Sequence, residues 1–110
     1  MGPVIDKKSQ TRLLGVIEKF KSKVIAQVEM SADMIKKGNY VPPTVFEETD
    51  FSSDLGQVEF FGPLVTIFKV KDFDEAVKRA NDVDYALTGC LFSRSPSHID
   101  RIRAEMEVCN

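Results

Sequence analysis

Glu59 is the residue whose surroundings most invite chemistry. It interrupts an otherwise apolar run, Val58-Glu59-Phe60-Phe61-Gly62-Pro63-Leu64-Val65. Burying a carboxylate is costly unless something pairs with it. An acid held among aromatics, just before a Gly-Pro that constrains the backbone, therefore invites a ligand. A carboxylate accepts two hydrogen bonds from a vicinal diol such as a ribose, and a neighbouring aromatic packs on a flat ring. The spacing also allows a plainer arrangement, with Glu59 pointing outward from an edge strand while Phe60 or Phe61 faces the core.

The other reactive residue types are sparsely placed. His98 is the only histidine, so a His-rich metal site is excluded; its position in the first turn of an expected helix reads as surface. Cys90 follows Thr88-Gly89 in an apolar stretch and reads as a small core residue. No neighbouring base in sequence offers to lower its pKa. Cys109, next to the last residue, reads as an oxidisable thiol on a frayed end. The glycines at 2, 15, 38, 56, 62 and 89 are scattered, so no glycine-rich phosphate loop is present. Glu47, Glu48, Asp50 and Asp54 fall in a polar stretch where solvation is the default reading.

The elements that must position Glu59 follow from periodicity. Asp6 can cap a helix whose face carries Leu13, Leu14, Ile17, Phe20, Lys21 and Val24 at three- and four-residue steps. Glu18 and Lys21 lie three apart and can pair on its surface. Val24 to Val28 reads as a strand competing for the end of that helix. Asn39 to Phe46 is extended, and the tandem Pro42-Pro43 argues against a central strand there. Glu47 to Asp54 reads as a surface loop.

Leu64 to Val70 is β-branched and aromatic and reads as a mostly buried strand. Asp72, with Glu75 three residues on, caps a helix whose apolar face is Phe73, Ala76, Val77 and Ala80. Leu87 to Phe92 reads as another strand. Ser95-Pro96 then starts a helix carrying Ile99, Ile102 and Met106 inward, and Val108 can begin a further strand. Strands alternating with helices imply right-handed crossovers. The expectation is a single α/β domain over residues 1–110, a largely parallel sheet with flanking helices.

The bulk properties exclude several classes. Fifteen basic and 17 acidic residues give a net charge of −2, with no basic patch of the kind nucleic acid or an anionic membrane requires. No apolar run reaches the roughly 20 residues of a membrane span, and the N-terminus lacks the pattern of a secretory signal. Two unpatterned cysteines fit a reducing cytoplasmic setting.

Glu59-Phe60-Phe61-Gly62-Pro63 resembles the E-x-F-G-P motif of the aldehyde dehydrogenase superfamily. Its company is also family-like: Gly2-Pro3-Val4-Ile5 before a helix, Tyr40 to Phe46, then Asp84-Tyr85-Ala86-Leu87-Thr88-Gly89. Leu91 to Ile99 most resembles the branch of Δ1-pyrroline-5-carboxylate dehydrogenases, which places the chain within their catalytic domain. The resemblance implies that Glu59 binds the nicotinamide ribose hydroxyls and Phe61 packs beside the nicotinamide of NAD or NADP. The implied reaction is oxidation of an aldehyde, here glutamate semialdehyde, to an acid. In it a cysteine thiolate attacks the aldehyde, hydride passes to the cofactor, and a glutamate-activated water releases the product. A mitochondrial matrix is an alternative setting for such an enzyme.

Neither Cys90 nor Cys109 matches the nucleophile of that family. The nucleophile, the general base and the dinucleotide domain would lie upstream of Gly2, and the substrate-carboxylate loop beyond Asn110. Cys90 and Cys109 stand where small residues are usual, and the stretch from Gln27 to Lys37 lacks the customary glycines. The chain is therefore expected to be a fragment with no catalytic residue of its own, inactive alone. The rest of the parent enzyme is its expected partner, with self-association when isolated. The alternative is a stand-alone, non-catalytic α/β interaction or binding module derived from such an enzyme.

Overall fold

The computed structural model describes residues 1–109. Helix α1 spans Lys7–Lys19, with the Asp6 carboxylate accepting from the Ser9 backbone N–H at 2.7 Å. The apolar pattern would carry the helix to Val24, but it stops at Lys19. A short 3-10 turn at Lys21–Lys23 leads into strand β1, Val24–Gln27. Lys21 and Glu18 do pair, at 3.7 Å and with both side chains exposed. Helix α2, Ala32–Lys37, fills part of the glycine-poor stretch and is capped by Ser31. Strand β2, Thr44–Glu48, short helix α3, Asp54–Gln57, and strand β3, Leu64–Phe68, follow. Helices α4, Phe73–Ala80, and α5, Pro96–Glu105, complete the order.

The α/β class stands, with a mixed three-stranded sheet ordered β1-β2-β3. β1 runs antiparallel to β2, and β2 parallel to β3 with Thr44 opposite Leu64. The central strand is thus the one the tandem prolines argued against. Pro42 and Pro43 stop just short of the ladder, and the first β2 amide, that of Thr44, donates to the Pro63 carbonyl. Pro43 contributes only its carbonyl, accepting from Val28, so its missing N–H costs nothing.

Burial alternates along β2, with Thr44, Phe46 and Glu48 on the covered face. β3 is not mostly buried: Val65 is 56% and Ile67 44% exposed. Their β2 partners are Val45 and Glu47, so these four residues share the uncovered face. Leu87 to Phe92 is likewise no strand. A strand needs a partner ladder, and this segment has none among the described residues; Leu87 and Phe92 are exposed. Val108 also starts no strand; the Cys109 N–H donates to the carbonyl of Ala86, the residue just before Leu87.

The α4 cap forms as the sequence implies, Asp72 accepting from the Glu75 amide at 2.8 Å. Glu75 reaches back to the Lys71 amide, a variant of the reciprocal box. Ser95 and Pro96 open α5, whose Arg101 bridges Glu105 and Asp74 and so ties α5 to α4.

The Glu47–Asp54 stretch is only partly a surface loop, because Glu47 and Glu48 belong to β2. Glu48 is just 4% exposed. Lys23 Nζ donates to it at 2.8 Å, and the Thr49 and Asp50 amides at 2.7 and 3.2 Å. These donors, Lys23 foremost, pull its pKa from 4.5 to about 2. A folded value below the unfolded one means stability that is full above pH 4.5 and lost as pH falls towards 2. Urea midpoints measured across that window should therefore fall more steeply in the wild type than in Glu48→Gln. Parallel slopes would remove Glu48 as the source.

Candidate functional site

α3 ends at Gln57 with Val58 as its cap, and residues 58–63 cross from it to β3. Glu59 and Phe61 both lie on this connection and both are exposed, Phe61 at 83%. The reading of Glu59 as a buried acid seeking a partner thus gives way to an acid presented to solvent. Together with Phe60, Thr66 and Phe68 they line a concavity of about 510 Å³. It offers carboxylate oxygens, a free ring face and a threonine hydroxyl, the acceptors and flat surface that a ribose and a planar heterocycle need.

The turn is tightly specified. Phe61 has φ 52°, the only non-glycine residue in the left-handed region among the described residues. That conformation costs an ordinary residue roughly 1–2 kcal/mol, so the surroundings must hold it. The Leu64 amide donates to the Gly62 carbonyl at 2.8 Å, and the Pro63 carbonyl accepts from Thr44. Arg12 Nη2 donates to the Phe60 carbonyl at 2.6 Å. Gly62 presses on the fully buried Leu13: a Cβ there would sit 2.6 Å from a Leu13 methyl. Glycine at 62 is therefore needed for close approach to α1, not for positive φ. Sequence reasoning missed Arg12, since nothing local links a residue of α1 to a carbonyl 48 positions away.

The remaining candidates do not converge on the turn. Cys90 is exposed, not a core residue, because its segment lacks a covering layer; Cys109 is exposed as expected. Neither has positive φ, so cysteine at these positions imposes no backbone strain. His98 is half-buried, its ring stacked on Phe73 with centroids 3.8 Å apart. Asp50 accepts from the Ser52 amide and hydroxyl, which lower its pKa, and Asp54 pairs with Lys19. No group of three or more His, Cys, Asp or Glu is placed to hold a metal among the described residues. No helix among them is long and apolar enough to cross a membrane.

The aldehyde dehydrogenase family model matches residues 1–110, and the chain belongs to that family. The 1-pyrroline-5-carboxylate dehydrogenase of Bacillus subtilis (strain 168) is 38% identical over 112 residues, covering the whole chain and 21% of that protein. Its counterpart in Geobacillus sp. (strain WCH70) is 37% identical over 110 residues, again 21% of its length. The solved Thermus 1-pyrroline-5-carboxylate dehydrogenase with bound NAD superposes with a TM-score of 0.86 at 34% identity, over 97% of this chain and 20% of that one. Proline utilization A from Bdellovibrio bacteriovorus, inactivated by N-propargylglycine, gives 0.91 at 39% identity, over 100% and 11%. The chain thus spans about a fifth of the curated relatives it matches.

Proposed function

We propose that residues 1–110 form a single α/β part of the catalytic domain of an NAD(P)-dependent aldehyde dehydrogenase acting on glutamate semialdehyde. In that reading Glu59 and Phe61 contact the nicotinamide half of the cofactor. The observation that carries the proposal is the constrained turn itself. It holds an exposed acid and an exposed aromatic two residues apart at the rim of a polar concavity. Glu59 would accept hydrogen bonds from the ribose hydroxyls and Phe61 would pack beside the nicotinamide ring. When bound, the cofactor supplies the hydride acceptor; Glu59 and Phe61 only orient it.

The chain has a radius of gyration of 16.3 Å and extents of 50 × 27 × 25 Å. A compact domain of this length has a radius of about 13 Å. The elongation and the uncovered apolar face support a working unit that includes further protein; a cytoplasm or mitochondrial matrix is its proposed setting by family resemblance alone. Isolated copies would self-associate through that face.

The test replaces the matching stretch of the Bacillus subtilis relative with this chain. The chimera should reduce NAD with glutamate semialdehyde, and Glu59→Gln should raise its KM for NAD by about tenfold or more, the effect of losing a charge-assisted hydrogen bond. The isolated chain should show no turnover. An active isolated chain would overturn the fragment reading, and an unchanged KM in Glu59→Gln the cofactor reading.

A further inference from the structure

We propose that α1 is a splint for the Glu59–Phe61 turn, with Arg12 and Lys19 as positioning residues. The inference rests on reading that turn as the cofactor contact. Arg12 and Lys19 lie seven positions apart, two helical turns on one face, about 10 Å along the axis. Arg12 grips the Phe60 carbonyl and Lys19 the Asp54 carboxylate. Their partners bracket α3 and the approach to Glu59, so both ends of the segment are tied to one rigid rod. Between the two pins, buried Leu13 meets Gly62 and sets the spacing of rod and turn.

The Arg12 contact has a particular geometric consequence. The peptide joining Phe60 to Phe61 is a rigid plane. Holding its oxygen restrains the Phe61 amide, one of the two peptide planes whose relative rotation about the Phe61 N–Cα bond is the left-handed φ that aims the ring. Both pins are exposed, and exposed polar contacts contribute little to global stability. Their consequence is positional, which separates them experimentally from core residues.

In the isolated chain, Arg12→Ala should speed exchange of the Val58 and Leu64 amides, which donate to the Asp54 and Gly62 carbonyls at the two ends of the turn, by about tenfold while the melting temperature stays the same, a local opening. Arg12→Lys, still able to donate to the carbonyl, should restore most of the protection. In the chimera, Arg12→Ala should lower kcat by about tenfold or more through misplacement of the bound ring, without contacting it. Exchange unchanged in Arg12→Ala overturns the splint. If Glu59→Gln impairs the chimera but Arg12→Ala does not, the positioning role falls and the cofactor reading stands. If Arg12→Ala speeds exchange while Glu59→Gln is silent, the splint stands and the cofactor reading falls.

Discussion

Phe46→Ala is expected to destabilise the chain by about 3–5 kcal/mol, the cost of truncating a fully buried aromatic. Phe46 has no exposed surface and occupies the middle of β2, the central strand of the β1-β2-β3 sheet, hydrogen-bonded on both sides. Removing its ring deletes buried area and leaves a cavity that two paired neighbours prevent from closing. A domain of this size holds roughly 5–15 kcal/mol in total, so the loss takes much of the margin. Urea denaturation reads it as a lower midpoint at an unchanged slope. Val45→Ala, one position away on the uncovered face, should cost far less. Equal losses from the two variants would mean that β2 does not separate a covered from an open face.

That asymmetry explains which parts of the fold were legible in the sequence. Elements whose signals are local came through: the Asp6 cap of α1, the Asp72 cap and apolar face of α4, and Ser95-Pro96 before α5. β1 and β3 were visible as β-branched runs. What failed depended on partners distant in sequence. β2 was obscured because its two acids looked solvated, yet Glu48 is buried by Lys23, 25 residues earlier. Leu87 to Phe92 has the composition of a strand, but composition supplies no ladder partner. At the site, the E-x-F-G-P resemblance picked out Glu59 and Phe61, and the structure puts both on a constrained, exposed turn. Their means of support was not legible: the contacts from Arg12 and Leu13 exist only after α1 packs against the turn.

Gln10 shows the same limit most sharply, and its replacement by leucine should destabilise the chain by about 2–3 kcal/mol. Gln10 lies one turn before Leu13 and Leu14 on the apolar face of α1, and is fully buried. Its amide nitrogen lies 3.0, 3.1 and 2.8 Å from the carbonyls of Ile35, Gly38 and Tyr40, and Lys7 donates to its amide oxygen. Two amide hydrogens serving three acceptors means that one is shared. Leucine fills a similar volume but donates nothing, leaving these carbonyls without their side-chain donor; each buried orphan costs about 1–3 kcal/mol. The lost bonds tie α1 to the end of α2 and to the chain entering β2, so amide exchange should quicken at residues 35–40. Arg12 and Leu13 lie on the same helix but grip a different segment, so exchange of the Val58 and Leu64 amides should change only with global stability. A Gln10→Leu midpoint equal to wild type would show that water satisfies those carbonyls. Selective loosening at Val58 and Leu64 would instead make Gln10 a third pin of the splint.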